Sequence, residues 1–316
     1  MIELIVQPRN SITWQEFLEK TPENSIALDG MVKGGPAFDE RTRHANFDHH
    51  DGVVREATMS TCKQVYFAIK GGLFQLFRNE EGPFAKVYVN DSDQDTSLAA
   101  WQLDNSHLLE GIQSMPAINR LISLNDELDI TGGAFPRNLN ERLVRQHNWV
   151  FEPYTQLRTS GALANASPEV IKDNIVSVMD RITKFMMGMA GEKATDARYE
   201  VLHESQHGYK IVDEIGGNEA RYVLFSKGMN AFVSKIATRA DGNRVWSIGR
   251  RSRYIPFPVK ELYSVLNQAE GLSDQEGWGG SDIVGGSSRK YGSKLDSKQI
   301  AEVVDGYLGK RMEAGR

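Results

Sequence analysis

Ala45-Asn46-Phe47-Asp48-His49-His50 is the stretch on which the fold turns: a short apolar run of strand character breaks at once into a carboxylate and two imidazoles. Imidazole suits Mn, Zn, Fe or Co, and carboxylate suits harder divalent ions. A mixed set at the carboxyl end of a strand is therefore placed for metal-assisted hydrolysis. On its own the triplet has a plainer reading, a surface Asp beside two solvated histidines. Two further copies of the pattern weigh against that. Ser25-Ile26-Ala27-Leu28 runs into Asp29-Gly30, and Lys86-Val87-Tyr88-Val89-Asn90 runs into Asp91-Ser92-Asp93-Gln94-Asp95-Thr96-Ser97 before the helical sequence Leu98-Ala99-Ala100-Trp101-Gln102-Leu103. Strands that end in acids, with helical sequence between them, predict an α/β fold with a parallel sheet whose ligand groups gather outside the strands' carboxyl ends.

Composition bounds the rest. With 316 residues and 40% apolar content the chain can bury a large core, and its length predicts two domains. No signal peptide and no apolar run of membrane-spanning length is visible, so no membrane partner is expected. Cys62 is the one cysteine, which excludes an internal disulfide and a Cys-rich zinc site and makes the cytoplasm the expected compartment. Because Cys62 opens an apolar helical segment, it reads as a small core residue and not as a nucleophile. A net charge of -5 argues against stable binding to duplex DNA, which needs a basic surface. Arg43 and His44 read as an exposed face, and a homodimer is compatible with the sequence.

The expected domains are residues 1–153, with the strand and acid repeats; a helical connector over 154–195; and a smaller α+β domain over 196–316. Phe135-Pro136 and Phe151-Glu152-Pro153 read as irregular sequence closing the first. Ser167-Pro168 marks a capped helix start leading to the Phe185-Met186-Met187 packing stripe. In the last domain, Tyr222-Val223-Leu224-Phe225, Ala231 to Ala237 and Arg244 to Gly249 read as strands, with Asp241-Gly242-Asn243 as a hairpin turn. Residues 297–309 read as an amphipathic helix followed by a frayed tail.

Gly285-Gly286-Ser287-Ser288-Arg289-Lys290 is the second chemical signal. Glycine-rich backbone bends into anion-binding concavities, Arg289 offers a planar fork for phosphate, and Lys290 adds a point charge. Arg250-Arg251 close a strand in the same domain. These residues are the expected substrate-binding set; a flexible Gly-Ser loop is the plainer reading.

Taken with Ala57-Thr58-Met59-Ser60-Thr61-Cys62-Lys63, Trp278-Gly279-Gly280-Ser281 and the spacing of Asp29 from the triplet, the chain resembles the DHH phosphoesterase superfamily. That superfamily includes oligonucleotide exonucleases, cyclic-dinucleotide phosphodiesterases and manganese-dependent pyrophosphatases. The resemblance implies a DHH-type N-terminal domain, a substrate domain after it, and two divalent ions, Mn2+ first with Mg2+ or Co2+ as alternatives. It implies Asp29 and His49 as metal ligands, Asp48 as the residue orienting its neighbours, and His50 facing the substrate phosphate. Arg289 and Lys290 are expected to grip the substrate across an interdomain cleft.

One departure stands out. The first strand, Ile2-Glu3-Leu4-Ile5-Val6, is followed by Gln7-Pro8-Arg9-Asn10, where the family carries ligands. Three readings stay open: a decayed first motif, a role passed to Asp91, Asp93 and Asp95, or one of these being the family's fourth-motif Asp. Asp126 and Asp129 are reserve ligands in what reads as an acidic loop. The expected activity is hydrolysis of a small nucleotide or a short single-stranded oligonucleotide. A manganese-type pyrophosphatase and a noncatalytic nucleotide- or RNA-binding protein are the rivals.

Overall fold

The computed structural model describes residues 2–112, 115–134 and 137–314. It is a mixed α/β protein. The described residues divide into two compact units: those up to Ile130 together with Asn140–Ala194, and Thr131–Leu139 together with Thr195 onward. Phe135-Pro136 lies outside the described residues.

In the first unit a five-stranded sheet runs in the order Ile2–Val6, Ala85–Val89, Ser25–Leu28, His44–Phe47, Ala37–Asp39. Neighbours are parallel except at the Ala37–Asp39 edge. Every residue of Ser25–Leu28 is buried, as expected of a parallel strand covered on both faces. Register fixes what happens next. Leu28 pairs with Phe47, Ala27 with Tyr88, and Val6 with Val89, so these strands end at one rim of the sheet. The residues that follow, Asp29, Asp48-His49-His50 and Asn90-Asp91, are delivered to that rim.

Helices pack the same core. Thr61–Lys70 buries Cys62, Val65 and Ile69. Gln94–Asp104 is buried from Asp95 to Leu103, which marks a helix enclosed on all sides. The helix Pro168–Met186 begins where the sequence predicts: the Ser167 hydroxyl accepts from the Val170 N–H at 3.4 Å. Its stripe of Ile171, Ile175, Val178, Ile182 and Phe185 joins the cluster that holds Ile26 and Val87. The segment expected to connect two domains is thus part of the first unit's core.

The second unit is built on a six-stranded mixed sheet, in the order Glu200–Glu204, Tyr209–Asp213, Ala231–Thr238, Arg244–Arg250, Val284–Gly286, Gly279–Gly280. Alternation along the strands separates its two faces. Ile211, Val233 and Ile248 pack with Leu262 and Leu266 of the helix Val259–Glu270 and with Ile300 and Val304 of the helix Ser297–Ala314. Val212 and Phe232 pack on the other face with Leu224 and Phe225.

Several expectations are corrected. Tyr222-Val223-Leu224-Phe225 lies in the helix Asn218–Ser226 and not in a strand. A run of four apolar residues carries no period, and Ala220, Leu224 and Phe225 bury one helical face. The acidic segment holding Asp126 and Asp129 is the end of the helix Pro116–Ile130, whose buried Leu121, Leu124, Asn125 and Leu128 supply the helical period. Phe151-Glu152-Pro153 opens the helix Glu152–Thr159, with proline in its first turn. The final helix continues to Ala314. His44 is buried, its Nδ1 2.9 Å from the Thr42 carbonyl and its Nε2 3.0 Å from the Thr21 hydroxyl.

Candidate metal centre

The centre assembles at the rim where the parallel strands end. Asp29 follows Leu28 directly, and its backbone turns through a left-handed conformation with φ of +51°. Its N–H donates to the Phe47 carbonyl at 2.9 Å, which ties two strand ends together. The carboxylate is nearly inaccessible. Oδ1 accepts from the Thr61 hydroxyl at 2.8 Å, and Oδ2 from the Thr96 hydroxyl at 3.4 Å. Burial, with the charges of Asp93, Asp95 and Asp129 close by, holds its pKa well above the usual carboxylate range.

The triplet itself is wound tightly. Asp48 Oδ1 accepts the N–H groups of His49 at 2.7 Å and His50 at 3.0 Å, and lies 2.8 Å from His50 Nδ1. Asp48 therefore fixes the turn that aims both rings. His50 keeps 39% of its side chain exposed. Burial disfavours its charged form, but the hydrogen bond to Asp48 and the neighbouring carboxylates outweigh this and raise its pKa.

His49 is fully buried among carboxylates. Its Nε2 lies 2.7 Å from Asp129 Oδ2, 3.7 Å from Asp95 Oδ2 and 3.7 Å from Asp29 Oδ1. Despite this closeness, neither ring nitrogen makes a well-directed hydrogen bond among the described residues. Asp95 lies at the head of the helix Thr61–Lys70, where it accepts the N–H groups of Thr61 and, at 3.0 Å, of Cys62. Burial and the charge of Asp129 push it up to about 6, with His49 opposing. Asp129 goes the other way: burial would raise it, but His49 and Arg55 hold it below the ordinary range.

Two sets of side chains place one donor atom each within 4.8 Å of one another: Asp29, His49 and His50, and His49, Asp95 and Asp129. A buried imidazole nitrogen without a satisfactory hydrogen bond, facing like-charged carboxylates whose pKa values are displaced by their proximity, fits a divalent cation. Nitrogen and oxygen donors in that proportion match Mn, Fe, Co or Zn. The residues present thus fit the ion that the resemblance implies.

Of the five expected ligands, Asp29, His49 and Asp95 meet. Asp93 caps the helix Gln94–Asp104 through the Thr96 N–H at 2.8 Å and stands within hydrogen-bonding reach of Asp29. Asp91 groups instead with Asp93 and Arg158. Its carboxylate accepts its neighbour Ser92's N–H at 2.6 Å, and burial and Asp93 push it up to about 6. Cys62 is a core residue, its thiol pushed well up by burial and Asp95.

In the sequence Asp129 reads only as a reserve ligand, and Arg55, Thr61 and Asn125 are not marked as parts of the site. Asn125 donates to Asp95 Oδ1 at 3.1 Å, and its Oδ1 lies 3.1 Å from His147 Nε2. The available signal was the spacing of Leu121, Leu124, Asn125 and Leu128, which makes that segment helical and turns Asn125 inward.

The expected substrate residues of the second unit are placed differently from one another. Gly285 and Gly286 are strand residues. A Cβ on Gly285 would fall 2.1 Å from Tyr263 Oη, and one on Gly286 would fall 2.5 Å from the Trp246 carbonyl, so both glycines serve close packing. Ser288 is buried and donates to the Glu276 carbonyl. Lys290 pairs with Glu276 at 3.0 Å. Arg250 is held by Asp282 and by the Ile255 carbonyl at 3.0 Å. Arg251, at the end of its strand, donates its N–H to the Asn230 carbonyl at 2.7 Å, and Arg289 is exposed.

No protein-family model matches the chain, and no curated protein sequence matches it. Among the described residues no helix is long and apolar enough to cross a membrane.

Proposed function

We propose that the chain is a metal-dependent phosphoesterase of DHH type, acting on a small nucleotide or a short oligonucleotide with Mn2+ as the preferred ion. The observation that carries this reading is the convergence of Asp29, His49, His50, Asp95 and Asp129 at one end of a parallel sheet. In it, His49 with Asp29, Asp95 and Asp129 holds the ion. An ion held there would acidify a bound water and offset negative charge on a phosphate. Asp48 holds Nδ1 of His50, which fixes the ring's tautomer and leaves Nε2 to meet a phosphate oxygen. A protonated His50 stabilises charge developing on that oxygen. In the second unit, exposed Arg289 is the better candidate for an anion contact, because Lys290 and Arg250 are already paired.

Two observations favour a second reading. Both oxygens of Asp95 accept backbone N–H groups, and the first strand ends without ligands. A site so constrained suits a protein that binds a nucleotide through an ion without turning it over.

The two are separated by incubating the Mn2+-loaded protein with a dinucleotide, a nucleoside monophosphate and pyrophosphate, with mononucleotide release as the expected outcome. Phosphate release from pyrophosphate alone would point to a pyrophosphatase. Metal-dependent binding without any product would establish the sensor.

A further inference from the structure

We propose that Arg55, which contacts Asp129, is the substrate-phosphate ligand of this centre; this rests on the phosphoesterase reading above. Arg55 opens a single 3-10 turn, Arg55–Ala57, in the loop between the triplet and the helix Thr61–Lys70. One amino nitrogen, Nη2, reaches the Asp129 carbonyl at 3.1 Å and both Asp129 carboxylate oxygens at 3.4 Å. Asp129 is thus shared: His49 approaches Oδ2 at 2.7 Å, and Arg55 stands 3.4 Å from both oxygens.

Three features speak for a substrate role over a strut. First, the pairing is loose. Charge-assisted N–H···O bonds close to about 2.7–2.9 Å when a guanidinium is fully committed, and Arg55 stays 3.4 Å from each carboxylate oxygen of Asp129. Second, the fork is underused. Its Nε is buried without a hydrogen-bond partner, although a guanidinium offers five donors in a plane that matches phosphate. Third, Arg55 brings positive charge to a carboxylate-rich site. Asp29, Asp95 and Asp129 crowd around His49 and repel an approaching anion, and the Arg55 guanidinium stands against Asp129. Were Asp129 to hold a cation, its charge would be drawn away from Arg55, its guanidinium partner. Phosphate would then replace Asp129 as the anion that Arg55 pairs with.

The test uses the full chain as wild type, Arg55→Gln and Arg55→Lys. Mn2+ affinity is measured by calorimetry, and inorganic phosphate affinity is measured on the Mn2+-loaded protein. Arg55→Gln is expected to hold Mn2+ within about 3-fold and to weaken phosphate on the order of 10- to 100-fold, the loss expected for charge-assisted hydrogen bonds. Arg55→Lys, which keeps charge without the fork, should fall between. Unchanged phosphate affinity in Arg55→Gln overturns the inference, as does a loss of Mn2+ equal to the loss of phosphate, since a strut would do that. If Arg55→Gln does not fold, phosphate affinity in Arg55→Lys equal to that of wild type overturns it as well. A wild-type chain that binds neither Mn2+ nor phosphate removes the phosphoesterase reading itself, and this inference with it.

Discussion

His49 and Asp129 are brought to 2.7 Å, Nε2 to Oδ2, from a strand end and a helix end that lie far apart in the chain. The contact makes sense only if the fold holds the helix Pro116–Ile130 against the rim of the sheet. It also makes Asp129 as much a part of the centre as the residues of the triplet.

Metal binding should therefore divide the site's residues into two groups. His49→Ala and Asp129→Asn are expected to weaken Mn2+ binding by at least about 10-fold, the scale on which partners in a metal site act. His50→Ala and Asp91→Asn should keep it, with His50→Ala losing turnover. Calorimetry on the four variants decides; equal metal loss in His49→Ala and His50→Ala would reject the division of roles.

Asp95 carries structure as well as charge. Asp95→Ala leaves the N–H groups of Thr61 and Cys62 without an acceptor at a buried helix start, and such groups cost about 1–3 kcal/mol when left unpaired. Urea denaturation of the metal-free protein should show a loss of that order. By contrast Asp91→Ala, whose carboxylate accepts its neighbour's N–H, should lose less.

The metal-free protein should become less stable as pH rises. The carboxyl of Asp95 moves from the ordinary 3.8 to about 6 in the folded state, and that of Asp29 is raised well above the same value. A folded state that binds protons more tightly than the unfolded one gains stability in acid. For Asp95 the gain is complete below about pH 4 and disappears as pH passes through about 6; the Asp29 contribution falls in the same direction as pH rises. Asp129, held low by His49 and Arg55, loses stability only at more acidic pH. Thermal melts between pH 4 and 7 should show a falling midpoint that Mn2+ flattens; a midpoint rising over that window would contradict the charge assignment.

Gly285→Ala should damage packing without affecting the metal. The added Cβ would meet Tyr263 Oη at 2.1 Å and the Gly279 carbonyl at 2.3 Å, an overpacking that costs about 1–3 kcal/mol. Mn2+ affinity per folded molecule should stay at the wild-type value.

What was legible in the sequence was whatever lies close together along the chain. The strands before Asp29, Asp48 and Asp91 could be read because each is a short run, mostly apolar or buried, that ends abruptly in an acid, and their common end follows from parallel pairing. Asp129 and Arg55 could not be placed with them, because nothing local says which helix end or loop a folded sheet will meet. Tyr222 to Phe225 went wrong for a related reason: so short an apolar run fits either period. The glycines at 285 and 286 read as a phosphate loop because glycine marks close approach without saying to what, and here the neighbours are Tyr263 and the Trp246 carbonyl.

The left-handed backbone at Asp29 sets the fold and the site against each other. A β-carbon in that conformation costs about 1–2 kcal/mol, which glycine would not incur, and the carboxylate adds repulsion from its acidic neighbours. Asp29→Gly would relieve that strain and repulsion but leave the buried hydroxyls of Thr61 and Thr96 without the carboxylate they donate to, a cost of about the same size, so the chain would lose its centre for little change in heat resistance.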